Sequence, residues 1–164
     1  MKIKTKKHSL LIVLCLLFSS SVFSQTDESH PEFDSVMQAI NGWIETLETG
    51  DLSRRAELTI DGAIIQRLVQ QEDGSFERLP RVRNIDTSAS QQSVQIERFW
   101  DERVFINERM AVFWASYDFW VNGSFTHCGT DVFDLIKIDG EWKLGSMMYT
   151  IEKTGCPPSP LGEL

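Results

Sequence analysis

Asn122-Gly123 and Asp139-Gly140 are two-residue turn sequences, and each stands between long stretches rich in β-branched and aromatic residues. Such pairs take up the double positive-φ turn whose twist matches the strands it joins, so each marks a hairpin. The chain must therefore run through consecutive antiparallel strands over 110–121, 124–138 and 141–152, and 94–106 has the same composition immediately before them.

The N-terminal half reads differently. Phe33, Val36, Met37, Ile40, Ile44 and Leu47 recur at helical spacing, one apolar stripe that Gly50 terminates. Asp51 or Ser53 is placed to cap a short second helix through Leu58, and Gly62 closes the pair. Past Gly62 the period becomes alternating. Segments 63–70 and 76–82 flank Glu72-Asp73-Gly74-Ser75, which predicts a hairpin. Asp86 is placed to cap a short helical turn through Gln92. Helices first and long antiparallel strands after them give an α+β layout, with the N-terminal helices packed on a curved antiparallel sheet.

Residues 1–24 have the three parts of a secretory signal peptide: Lys2, Lys4, Lys6 and Lys7, an apolar run over 10–18, and small residues up to Ser24. The run is shorter than the roughly 20 apolar residues that span a bilayer. The expected protein is exported, periplasmic or extracellular, with no membrane contact after processing. It has a flexible tail over 25–32, one domain over 33–156 and a C-terminal tail over 157–164. The signal holds four of the 16 lysines and arginines and none of the 24 acids, so 12 bases face 24 acids, a net charge of −12. Such a surface repels phosphate backbones and excludes nucleic acid as a partner. No phosphate loop, nucleotide fingerprint or metal-ligand spacing is present, and His30 with His127 makes a poor zinc pair, so no cofactor or metal is expected.

Four stretches resemble one family. These are Trp114-Ala115-Ser116-Tyr117-Asp118-Phe119, Thr126-His127-Cys128-Gly129-Thr130-Asp131-Val132-Phe133, Gly140-Glu141-Trp142-Lys143-Leu144, and Tyr149-Thr150 leading to Gly155-Cys156-Pro157. With the order of elements they resemble the nuclear transport factor 2-like superfamily, which includes SnoaL-like polyketide cyclases and ketosteroid isomerases. The closest likeness is to small exported proteins labelled lumazine-binding. The resemblance implies a cone-shaped fold that binds ligands on the concave face of the sheet under the first helix, with Trp43 contributed by that helix. Thr59-Ile60-Asp61-Gly62 departs from relatives that carry a His-Pro pair there.

The turns also set a register. Two-residue loops at both hairpins pair Asp118 with His127, Ser116 with Gly129 and Trp114 with Asp131. They continue to pair His127 with Glu152, Gly129 with Thr150, Asp131 with Met148, and Phe133 with Ser146. A three-residue loop at 107–109 adds Arg98 beside Asp118, Trp100 beside Ser116 and Glu102 beside Trp114. One face then presents a hollow at Ser116, Gly129 and Thr150, walled by Trp100 and Trp114, with Arg98 at its edge and Val104, Val112, Phe133, Met110, Leu135 and Leu144 below. That is the pattern of a small-molecule site, expected for an aromatic or heterocyclic ligand. The alternatives are core filling by the tryptophans, an ion-pair cluster of Arg98, Asp118, His127 and Glu152, or a cofactor-free lyase or isomerase. In the last, Asp118 or Asp131 is the base and His127 the acid. A bulge at Ala115-Ser116 would flip part of this register. The opposite face, with Phe113, Tyr117, Phe119, Val132, Met147 and Ile151, suggests a partner subunit in a homodimer or dimerisation module. Cys128 lies on that face opposite Ile151, Gly155 lets the chain turn back, and in an exported protein Cys128 and Cys156 are expected to form a disulfide.

Overall fold

The computed structural model describes residues 26–164, so the expected signal peptide lies outside the described residues. Helix α1, Phe33–Thr49, buries Val36, Ile40, Trp43, Thr46 and Leu47, a stripe at three- and four-residue spacing. It ends where Gly50, at φ 70°, turns left-handed and donates its N–H to Thr46 O. A residue without Cβ adopts that conformation without strain. Helix α2, Leu52–Glu57, starts because the Asp51 carboxylate accepts the Arg54 N–H at 2.9 Å.

Six strands follow: β1 Thr59–Gln70, β2 Phe76–Val82, β3 Gln95–Ile106, β4 Met110–Val121, β5 Ser124–Ile138 and β6 Glu141–Ile151. They form one curved sheet in the order β2-β1-β6-β5-β4-β3. The ladders are antiparallel except for β1 on β6, which is parallel because the chain returns to β1's neighbour only after crossing the whole sheet. Asn122 and Gly123 sit at φ 50° and 78°, Asp139 and Gly140 at 51° and 87°, so both expected tight turns form. Between β2 and β3 no helical turn forms. The Asp86 carboxylate instead accepts the Ser88 N–H at 2.9 Å and its hydroxyl at 2.6 Å, a local turn that competes with helix. Segment 26–32 is tied down: Asp27 N–H donates to Val104 O at 2.9 Å, and Glu32 accepts from Lys137 Nζ at 2.7 Å and Trp142 Nε1 at 3.1 Å.

Three bulges reset the register that the turns alone predict. In β3 the pairing slips between Trp100 and Arg103, with Asp101 at φ 55°. In β5 Thr126 is the extra residue opposite Phe119 and Trp120, and in β6 Gly145 is the extra residue between Leu144 and Ser146. Each added residue turns the rest of its strand to the other face. The β3–β4 turn closes through Asn107 N–H to Met110 O at 2.8 Å, a two-residue loop rather than three. Arg98 does pair with Asp118 and Trp100 with Ser116, but Trp114 pairs with Arg103 rather than Glu102. Asp118 pairs with Cys128, not His127; Ser116 with Thr130, not Gly129; Trp114 with Val132, not Asp131. Across to β6, Cys128 meets Glu152, Asp131 meets Tyr149 and Phe133 meets Met147. Strand β4 itself runs without interruption through Ala115-Ser116.

The helices cover the face that carries Val104, Ala111, Phe113, Phe133, Leu135, Leu144 and Met147, all 5 % exposed or less. Val112 and Met110, expected inside, point outward at 36 % and 61 % exposure. Phe113, Tyr117 and Met147, expected to offer a surface to a partner subunit, are instead buried under the helices, and Phe119 and Ile151 border the cavity described below. On the outer face the Cys128–Cys156 disulfide forms as expected and anchors the C-terminal tail.

Candidate functional site

The inner face is not completely filled. Towards the start of β5 it encloses a cavity of about 200 Å³. Its aromatic walls come from three elements: Trp43 on α1, Tyr117 and Phe119 on β4, and Tyr149 on β6. Trp43 is fixed from both sides, donating Nε1–H to Thr59 Oγ1 at 3.0 Å and meeting the Phe133 ring edge-on at 5.8 Å. Tyr117 lies over Gly129, its partner in the ladder, and donates its hydroxyl to Thr150 O at 2.6 Å. That carbonyl is free because Thr130 N–H donates to the Thr150 hydroxyl instead, at 2.9 Å.

Gly129 is a requirement of this arrangement. A Cβ there would lie 2.2 Å from Thr150 O and 2.7 Å from Tyr117 Cε1. Gly129→Ala is expected to push the Tyr117 ring off its hydrogen bond and to destabilise the fold by about 1–3 kcal/mol, the usual effect of overpacking. Denaturant unfolding, with tyrosine ring shifts read by NMR, checks both effects.

The ionisable groups of the cavity come from every layer. Asp131 on β5 is 2 % exposed, and Glu97 on β3 lines the same cavity beside it. Burial pushes both carboxyls up, Glu97 to about 7, and Asp131 is raised further by the neighbouring Glu97. Among the described residues no donor reaches Glu97 Oε1 or Asp131 Oδ2. One proton shared between the two carboxyls would satisfy both oxygens. Facing them are Arg55 from α2, Arg81 from β2 and Arg83 just beyond it. Burial lowers Arg55 to about 10, which leaves it charged. His127 stacks on Phe119 at 4.9 Å and meets the Tyr117 edge at 5.7 Å. Burial, helped by Lys153, lowers it to about 4, so its ring is neutral at pH 7 and is no ready acid.

These shifts fix the sign of a pH effect. A carboxyl raised in the folded state binds more protons folded than unfolded, so stability falls as pH rises from its unfolded value, about 4.3, through its folded one. A histidine lowered to about 4 works oppositely, adding stability as pH rises from about 4 to 6.5. Above pH 6.5 only the carboxyl pair remains in play among these groups. Melting temperature is expected to decline from pH 6.5 to 8, and Asp131→Asn to flatten that decline. Equal slopes in the two proteins would refute the shared proton.

The structure brings Trp43, His127 and Asp131 to the cavity, with Gly129 beneath its wall. It does not bring Arg98, Trp100, Trp114, Ser116, Asp118 or Thr150 there, because the bulges turn those positions away. Arg98 and Asp118 form a two-bonded ion pair on the outer face, Nε to Oδ1 at 2.8 Å and Nη2 to Oδ2 at 2.6 Å. Burial pushes the Asp118 carboxyl up, but Arg98 and Trp120 outweigh it and hold it below its ordinary range. Asp118 is therefore a fixed anion, not a base in the cavity. Trp100 lines an outer groove beneath Pro157 and Pro158. The residues that sequence reasoning missed are Arg55, Arg81, Arg83, Glu97 and Tyr149. The apolar odd-numbered positions of β4 were the available signal for the inner face. Among the described residues no cluster of His, Cys, Asp or Glu is arranged for a metal, and no helix is long and apolar enough to cross a membrane.

No protein-family model matches the chain. No curated protein matches it either. Solved structures do. A nuclear transport factor 2-like protein from Cytophaga hutchinsonii superposes with TM-score 0.57 at 13% identity, covering 72% of this chain and 96% of its own. A candidate dehydratase of the same fold from Streptomyces avermitilis gives 0.56 at 14%, covering 73% and 95%. A candidate scytalone dehydratase from Novosphingobium aromaticivorans gives 0.55 at 10%, covering 77% and 95%. At such identities the likeness concerns the backbone alone: the chain has the nuclear transport factor 2-like fold, an α+β cone with helices over a curved sheet.

Proposed function

We propose that the protein is exported and binds a small aromatic or heterocyclic molecule, non-covalently, in the concave cavity. The observation that carries this reading is the cavity's composition: Trp43, Phe119 and Tyr149 around a buried carboxyl pair and unpaired arginines. Apolar walls with a few convergent polar groups are what ligand sites have in common. The N-terminal sequence and the disulfide support export, and a lumazine-like heterocycle is one ligand of suitable shape. Mass spectrometry of small molecules that co-purify with the exported protein tests the proposal. A ligand that stays with the wild type and is lost from Asp131→Asn is the expected result; a protein that carries nothing and shows no thermal shift with any aromatic compound refutes it.

The neighbouring carboxyls of Asp131 and Glu97, both raised by burial, favour a second reading, a cofactor-free lyase or isomerase in which that pair moves a proton. The candidate dehydratases among the structural neighbours are compatible with it. Its mark is a pH–rate profile with an inflection near 7 that Asp131→Asn removes and Asp118→Asn leaves in place. We also propose a homodimer through the outer sheet face, where Ile64, Phe105, Met110 and Met148 are 43–61 % exposed. Sedimentation of the purified protein as a monomer would refute it.

A further inference from the structure

We propose that the cavity's ligand is an anion, a ring system whose carboxylate or similar planar charged edge docks on Arg83 and Arg81. This rests on the cavity being the ligand site, and it adds the chemical class.

The inference starts from where the positive charge lies. Beyond the signal the chain has twice as many acids as bases. Among the described residues the ion pairs are Arg54–Glu57, Arg98–Asp118, Lys137–Glu32 and Lys143–Glu141. Arg55, Arg67, Arg81 and Arg83 enter none of them, although acids are abundant. Arg55, Arg81 and Arg83 line the cavity, and Arg67 stands opposite Tyr149 in the β1–β6 ladder.

These arginines are short of acceptors as well as of counter-charge. The Nε atoms of Arg83 and Arg67 are buried without a hydrogen-bond partner. Arg55, 5 % exposed, is bonded only to neutral groups, through Nε to Thr46 Oγ1 at 2.7 Å and through Nη2 to Thr46 O and to Gln91 Oε1 at 3.3 Å, and it lies over the Trp43 ring. Among the described residues the carboxyls facing the cavity are Glu97 and Asp131, both pushed up by burial and outnumbered by its three arginines. The site is therefore left with a net positive charge at neutral pH.

A buried guanidinium N–H with no partner, as at Arg83 Nε, is unfavourable, and an incoming anion removes that cost. A planar carboxylate matches the fork of an arginine with two parallel hydrogen bonds, one of them from Nε. The attached ring then extends over the aromatic walls at Trp43, Phe119 and Tyr149. A neutral ring of the same shape gains the walls but leaves the arginines as they were.

The test uses matched probes: benzoate against benzamide, and naphthalene-2-carboxylate against its carboxamide, titrated calorimetrically into the mature protein. The carboxylates are expected to bind at least about tenfold more tightly than the amides, a ratio that shrinks as salt is raised. Arg83→Gln and, at the exposed rim, Arg81→Gln should each reduce that ratio while changing amide binding by less than about twofold. Arg103→Gln, on the outer face, should change nothing. Amides that bind as well as carboxylates would overturn the charge class and leave the cavity as a ligand site. Loss of the preference in Arg103→Gln would place the anion elsewhere and overturn it too. If none of the four probes binds at millimolar concentration, both the charge class and the ligand-site reading fall.

Discussion

Phe133→Ala is expected to destabilise the protein by about 3–5 kcal/mol, the range for deleting a fully buried aromatic ring. Phe133 is 1 % exposed, and its ring meets aromatic rings from α1, β3 and β4. Its ring lies 5.8 Å from Trp43, 6.0 Å from Phe99 and 5.6 Å from Phe113, with the first two contacts edge-on. The void left by alanine cannot close, because Trp43 is held by its bond to Thr59 and the strands are held by their ladders. The ring also supports the floor of the cavity through Trp43. Unfolding in urea is therefore expected to show the stability loss, and tryptophan fluorescence of the folded variant a shift from the wild type. A loss below about 1 kcal/mol would mean that the helix–sheet interface is not close-packed around this ring.

Reducing the Cys128–Cys156 bond, or replacing both residues by serine, is expected to cost about 3–4 kcal/mol. The bond spans a sequence separation of 28. Closing a loop of that size restricts the unfolded chain by that amount in the chain-entropy account. For a domain of this size the melting temperature should fall by about 10 °C. Beyond this global loss, the tail itself should loosen. Cys156 leads the tail over Trp100 and Trp120, and the tail is otherwise held through Arg98 Nη2 to Gly162 O at 2.7 Å. Hydrogen exchange should therefore rise in the tail and around Asp118 while the amides of α1 stay protected. An unchanged melting temperature under reductant, with two thiols titratable, would refute a stabilising bond.

Much of the architecture was legible in the residues. The stripe from Val36 to Leu47 defined α1, Gly50 ended it, and Asn122-Gly123 and Asp139-Gly140 fixed two hairpins. Their signals are local, since a turn of two residues or a stripe on one helix depends on the chain's own short-range geometry. The disulfide was legible too, because two cysteines in a chain whose sequence predicts export have few alternatives. The placement of the site was not. Period-two strands place alternate residues on opposite faces, so one unforeseen bulge inverts every assignment beyond it. Thr126 moved His127 away from Asp118, and Gly145 moved Tyr149 into line with Asp131.

Nothing in the local sequence at Asp101, Thr126 or Gly145 demands an extra residue. Those bulges form because the inner face must bury Phe113, Tyr117 and Phe133 under α1, and because the sheet must curve to do so. Trp43, His127 and Asp131 were found from sequence because they lie on strands or helices whose inward face was assigned correctly at those positions. Arg55, the pair Arg81 and Arg83, and Glu97 come from three separate segments of the chain, and no spacing along the sequence connects the three. The sequence by itself determined the elements, the two turns and the export-compatible cysteine pair. Only the tertiary structure decided which face is concave and which charges meet there, because packing the helices on the sheet, not the turns, chooses between two registers of similar local energy.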